Sequence, residues 1–196
     1  AAGTISFWGE NITAMDDEEL DRILRRIGIS FQGGALFNSM TIAENVALPM
    51  EEAGRFDSRL IDILVEMKLS LVGLGKAGRL MPSALSGGMK KRVGFARAIA
   101  VDPEIVFFDE PSAGLDPIMA AGLDKIILDI RKILGATVVV VTHELASIRT
   151  VADRVLMLDK GEIIFDGPVE EAEQSERERV YQFFHRIPDR VIGVES

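Results

Sequence analysis

The amino-acid sequence predicts an α/β domain: a mostly parallel sheet wound with helices and interrupted by an α-helical subdomain. Three observations lead there. Ile105 to Phe108 is four consecutive apolar residues running into Asp109-Glu110, and Thr137 to Val141 is an almost wholly valine, β-branched run. Both have the pattern of strands buried on both faces of a parallel sheet. Stretches with helical spacing surround these strands, so strand and helix alternate through the second half. Phe37 to Leu85, by contrast, carries helical patterns and turns with little strand character.

In chain order, Gly3 to Trp8 alternates as a short strand with Gly9-Glu10 as its turn. Asp16 to Gly28 reads as a helix, with Leu20, Ile23, Leu24 and Ile27 as the apolar stripe, acidic residues in the first turn and Gly28 at the stop. Ile29-Ser30-Phe31 follows as a strand ending at Gln32. Thr41 and Glu44 form a capping box, and Pro49 is expected to end or kink the helix they open. Asp57 or Ser58 caps the next helix, whose stripe is Leu60, Ile61, Leu64 and Met67. Ser86-Gly87-Gly88 opens another, with Met89, Val93, Ala96, Ile99 and Ala100 on one face.

Asp116 and Pro117 supply an N-cap and a first helical residue, Leu123, Ile126, Ile127, Ile130 and Leu134 face the core, and Gly135 ends that helix. Val155–Leu158 and Ile163–Phe165 flank Asp159-Lys160-Gly161 as a β-hairpin, with Asp166-Gly167-Pro168 ending its second strand. Residues 169–187 read as one or two polar helices anchored by Val180, Phe183 and Phe184.

Bulk properties exclude several classes. A chain of 196 residues with 47% hydrophobic content can bury one good core. A net charge of −9 leaves no electrostatic footprint for nucleic acid and argues against direct adhesion to an anionic bilayer. The absence of cysteine removes disulfide and thiolate chemistry and is compatible with a reducing cytoplasm. The longest apolar runs are too short to span a membrane, and no basic region followed by an apolar run marks a signal peptide. If a membrane matters, it is reached through a partner.

Two places carry chemistry. A helix opening on Ser86-Gly87-Gly88 presents free amides and the positive end of its dipole, with glycines that let an anion approach the backbone: a natural seat for phosphate. Asp109-Glu110 puts two carboxylates at the end of a parallel strand, where ligands bind in open α/β sheets.

L-S-G-G, then four apolar residues with D-E, then S-A-G-L-D resembles the signature motif, Walker B strand and D-loop of the ATP-binding-cassette (ABC) ATPases, a branch of the P-loop NTPases. The resemblance implies an ABC-type core up to the Q-loop in 1–34, a helical subdomain with the signature helix in 35–100, a catalytic core in 101–168 and a helical tail in 169–196. ATP and Mg2+ are the implied ligands. Asp109 would hold the metal, Glu110 would polarise the attacking water, Gln32 of the Q-loop would reach both, and His143 of Thr142-His143-Glu144 would be the switch histidine at the γ-phosphate. Ser86, Gly87, Gly88 and Asp116 would serve the nucleotide held by a second subunit paired head to tail. His185 matches nothing in the pattern. A membrane subunit would dock beside the Q-loop, for which Phe31, Leu36, Phe37 and Met40 are candidates as much as they are candidates for core.

The Walker A loop, G-x-x-x-x-G-K-[ST], is expected before residue 1, making the chain an N-terminally truncated and by itself inactive cassette. Its one imitation, Val72-Gly73-Leu74-Gly75-Lys76-Ala77, lacks the first glycine and the hydroxyl and follows a helical pattern. Met89 and Ser112-Ala113-Gly114 make the chain most similar to the Mla-type, or mammalian-cell-entry-associated, ATPases of bacterial phospholipid trafficking. That similarity implies a permease partner and a place on the cytoplasmic face of the inner membrane. Two alternatives stand beside it: a soluble ABC ATPase outside transport, and a non-catalytic regulatory cassette.

Overall fold

The computed structural model describes residues 3–189, which fall into two compact units divided between Thr142 and His143. In the first, β1 (Ser6–Phe7) and β2 (Glu10–Asn11) form a small hairpin turned by Trp8 and Gly9, both at positive φ. The Arg26 guanidinium lies over the Trp8 ring, 3.6 Å from its centroid. Helix α1 (Asp17–Leu24) starts from a complete capping box, Asp16 with Glu19, and stops at Arg25.

The chain then enters β3 (Ile27–Ser30), earlier than its apolar spacing suggests. Gly28 is therefore not a helix stop. It lies mid-strand, where a Cβ would come 2.1 Å from the Ala98 carbonyl oxygen, so the missing side chain lets the strand press against helix backbone.

β3, β4 (Ile105–Asp109) and β5 (Thr137–Val141) form a parallel sheet in that order, with Ile27 opposite Ile105 and Ile105 opposite Thr137. Val106 and Phe108 of β4 are fully buried, and Phe108 packs against Phe95, ring centroids 4.3 Å apart. β5 differs from expectation. Among the described residues it pairs only with β4, and Thr137, Val139 and Val141 are exposed. β-branched side chains suit a pleated backbone whether or not it is covered, so their run identifies a strand and not its place in the sheet.

The crossover between β3 and β4 carries the helical lobe. Helix α2 (Ile42–Ala53) begins at the Thr41–Glu44 capping box and continues through Pro49 to a left-handed cap at Gly54. The expected break does not occur because Ile42, Val46 and Met50, buried on both sides of the proline, hold the next turn in place. Helix α3 (Ser58–Leu71), capped by Asp57, buries Ile61, Val65, Lys68 and Leu69. The stripe is rotated from the expected one, leaving Leu60 and Met67 exposed. Val72 to Ala77 is a turn, with Gly73 donating to Ser70 and Leu74 to Leu69, and no strand runs into it. Helix α4 (Gly87–Ala98) is buried around most of its circumference. Between β4 and β5, α5 (Pro117–Leu134) keeps Leu123, Ile126, Ile127 and Ile130 inside and ends at left-handed Gly135.

The second unit holds α6 (Leu145–Val151), the antiparallel pair β6 (Arg154–Asp159) and β7 (Glu162–Pro168), α7 (Val169–Glu173) and α8 (Glu178–His185). Lys160 and Gly161, both at positive φ, make its hairpin turn. β7 stays paired through Asp166 and Gly167 and ends at Pro168. Ile148, Val169, Ala172, Val180 and Phe184 form this unit's own core. The last part of the 169–196 tail lies outside the described residues.

Candidate active site

β4 carries Asp109 as its last residue, opposite Val141, and the chain leaves the sheet at once. Glu110 takes φ 44°, in the left-handed region, and donates its N–H to the Val141 carbonyl at 2.8 Å. A non-glycine residue held there costs on the order of 1–2 kcal/mol, so the surroundings must enforce it. The geometry separates two adjacent carboxylates: Asp109 is exposed and stays on the ladder, while Glu110 is half-buried and leaves it.

Helix α4 supplies contacts to this turn. Lys91, only 8% exposed, donates from Nζ to the carbonyls of Pro111 (2.9 Å) and Ala113 (2.6 Å) and lies 3.3 Å from that of Glu110. Ser112, between them, is fully buried. The turn adds weaker bonds of its own, Ala113 N–H to Glu110 and Leu115 N–H to Ser112.

Gln32 is exposed, two residues beyond the Ser30–Phe108 pair, so it leaves the same end of the sheet as Asp109 and Glu110. Its loop touches α4 as well. A Cβ on Gly34 would sit 2.8 Å from the Lys90 carbonyl oxygen, one on Gly94 would sit 3.0 Å from Gly34 Cα, and Gly34 itself is at positive φ. Arg97 donates to the Gly34 carbonyl at 2.9 Å, and burial lowers the pKa of its guanidinium. Farther along, buried Asn45 accepts from Phe37 N–H and donates to the carbonyls of Phe37, Met40 and Thr41. Phe31 and Phe37 remain half exposed, which removes them from the core.

Ser86 is the N-cap of α4, its hydroxyl accepting from Met89 N–H at 3.3 Å. Gly87 is open: a Cβ there would meet nothing within 4 Å. Gly88 is covered by the Met119 methyl and the Leu115 side chain, so the helix N-terminus abuts the start of α5. Asp116 accepts from the N–H groups of Ile118 and Met119 at 3.0 Å each and caps α5. The first unit thus gathers Gln32, Asp109 and Glu110 at strand ends and Ser86 to Gly88 beside the Leu115–Met119 corner. His143 is exposed and is the first residue of the second unit, ahead of α6. His185 stacks on Tyr181.

Lys91, Arg97 and Asn45 are not legible as site residues from sequence. Their acceptors are mostly backbone carbonyls, which any residue supplies. The available signal is compositional: basic residues and Gly94 interrupt a helix whose other positions are largely apolar and buried.

A parallel sheet with a three-helix lobe in its crossover, a strand-end carboxylate pair and a helix opening on Ser-Gly-Gly define an ATP-binding cassette. The chain belongs to the ABC transporter family, whose model matches residues 1–113. It is 41% identical over 187 residues to the intermembrane phospholipid transport system ATP-binding protein MlaF of Escherichia coli, covering 95% of this chain and 70% of that protein. It is also 41% identical over 184 residues to the probable ribonucleotide transport ATP-binding protein mkl of Mycobacterium tuberculosis, covering 93% and 51%. A dimeric ATP-binding cassette solved in a post-hydrolysis state with ADP and Pi superposes with a TM-score of 0.78 at 30% identity, covering 86% of this chain and 74% of that one.

Proposed function

We propose that this chain is the ATP-hydrolysing subunit of a transporter that moves phospholipid through the bacterial envelope. The observation that carries the catalytic part is the Asp109-Glu110 pair, with Glu110 turned off the strand end in a left-handed conformation. Glu110 acts as general base: its carboxylate accepts the proton of the water that attacks the terminal phosphoryl group. Gln32 orients that water from the neighbouring strand end, and His143 contacts the γ-phosphate.

Among the described residues no three acidic or histidine groups converge to enclose a metal. One exposed carboxylate, with the Gln32 amide, fits an ion that keeps its waters and shares ligands with phosphate, as Mg2+ does. When bound, that ion neutralises phosphate charge. Asp109 and Gln32 would hold it.

Ser86, Gly87 and Gly88 offer a helix N-terminus with an open face at Gly87 to the nucleotide of a second copy, and Asp116 lies on the same corner. The chain then works as a head-to-tail pair with a membrane permease, on the cytoplasmic face of the inner membrane. No helix among the described residues is long and apolar enough to cross a bilayer. Phospholipid is favoured over ribonucleotide because the MlaF match extends over more of the relative's length. No Walker A stretch occurs in the sequence, and we expect no turnover from these 196 residues alone.

In the complete protein with its permease, Glu110→Gln should lower steady-state ATP hydrolysis to a small residual rate, at least about a hundredfold down, while leaving ATP binding within about threefold. Normal turnover by that variant would remove Glu110 from the mechanism. In reconstituted vesicles, ATP-dependent transfer of labelled phospholipid supports the cargo assignment, and transfer of ribonucleotide instead overturns it.

A further inference from the structure

Lys91 stands outside the motif residues that define the cassette, yet it makes the densest polar contact in the catalytic loop. Its ammonium is buried against three successive-turn carbonyls, those of Glu110, Pro111 and Ala113, at 3.3, 2.9 and 2.6 Å. A Lys head group has three donors and no acceptor, so it suits a cluster of carbonyl oxygens. The residue whose direction depends on this cluster is Glu110, held at φ 44° with its N–H on Val141. A left-handed residue with a side chain persists only where neighbours over-determine it. Its neighbours here include one sheet bond, the Ala113 N–H and this ammonium.

Lys91 is also five residues along α4 from its cap, Ser86, on a helix too short and too buried to flex between them. The same rigid body therefore carries the Ser-Gly-Gly terminus at one point and the loop clamp at the next.

We propose that Lys91 is a positioning residue that fixes the direction of the Glu110 carboxylate and ties it to the position of the signature helix. It rests on Glu110 being the general base, and acts only through it. A misplacement of about 1 Å in a reacting group costs on the order of a hundredfold in rate, while binding need not change.

The test is a double-mutant cycle in the complete protein, measuring kcat, KM for MgATP, nucleotide affinity and thermal melting. Lys91→Met should lower kcat roughly 10–100-fold, the size expected of a displaced general base, with KM and nucleotide affinity within about threefold. In a Glu110→Gln background the same substitution should lower the residual rate less than about twofold, because there is no base left to misplace. Lys91→Arg keeps the charge but replaces a compact ammonium with a planar fork, and should recover only part of kcat. Unchanged kcat in Lys91→Met overturns the proposal, as does an equal loss in both backgrounds or a loss expressed in affinity alone. If Lys91→Met does not fold, Lys91→Gln carries the same cycle. Normal turnover by Glu110→Gln would sink the general-base assignment instead, so the two failures are distinguishable.

Discussion

The loops leaving β3 and β4 are both tied to α4, but by different means. After β4, one ammonium meets the carbonyls of Glu110, Pro111 and Ala113, and the strained residue sits inside the clamp. After β3, a single guanidinium bond from Arg97 reaches Gly34, two glycines permit close contact, and Gln32 lies exposed ahead of the tie. The carboxylate-bearing turn is held from three carbonyls, whereas the loop bearing the Gln32 amide is held by one bond behind it. The far end of the second loop is firm again, because Asn45 engages Phe37, Met40 and Thr41. Gln32 itself lies between the end of β3 and the Gly34 tie.

The contrast can be broken at its firmest anchor first. Asn45→Leu leaves a buried N–H and several carbonyls unpaired, and should cost about 3 kcal/mol in urea unfolding. A loss below about 1 kcal/mol would mean the loop is held elsewhere. Arg97→Met removes the single tie and should cost about 1 kcal/mol, with a smaller fall in kcat than Lys91→Met. The reverse ranking of the two variants in kcat would erase the distinction between the two loops.

Thr41→Ala acts on the outer rim and should lower stability near neutral pH by about 1 kcal/mol. Its pH dependence has a definite sign. Bonds from the Thr41 backbone N–H and hydroxyl hold the Glu44 carboxyl below its ordinary pKa of 4.5. A depressed carboxyl stabilises the fold above its unfolded pKa and loses that contribution as pH falls through the folded value. The gap between wild type and Thr41→Ala should therefore narrow below about pH 4.5, as measured by melting across pH. A gap that widens in acid would contradict the capping role.

What the sequence made legible is what depends on neighbours in the chain. The Thr41–Glu44 box, the Asp116-Pro117 start, the Gly135 stop and the Lys160-Gly161 turn all follow from local rules. Pro49 and Gly28 were misleading because tertiary packing decides them: a buried face carries α2 past the proline, and Ala98 sets the limit at the glycine. The α3 stripe shifted for a similar reason, since Lys68 is buried beside Asp102 and takes a place that apolar spacing reserves for a hydrophobe. Asp109 and Glu110 could be read as a pair, but not that one of them sits in a left-handed turn. Lys91 was invisible because carbonyl oxygens leave no mark in a sequence.

The hairpin of β6 and β7 has a further consequence, in the order of folding. Its strands meet across a two-residue turn, a closure that takes microseconds. β3 and β4 must find each other in parallel across the whole helical lobe, a far slower search because the loop to be closed is long. Pulsed hydrogen exchange during refolding should protect the amides of Val155 and Phe165 before those of Val106 and Phe108. The strand end that carries Asp109 and Glu110 then takes its final form after that hairpin.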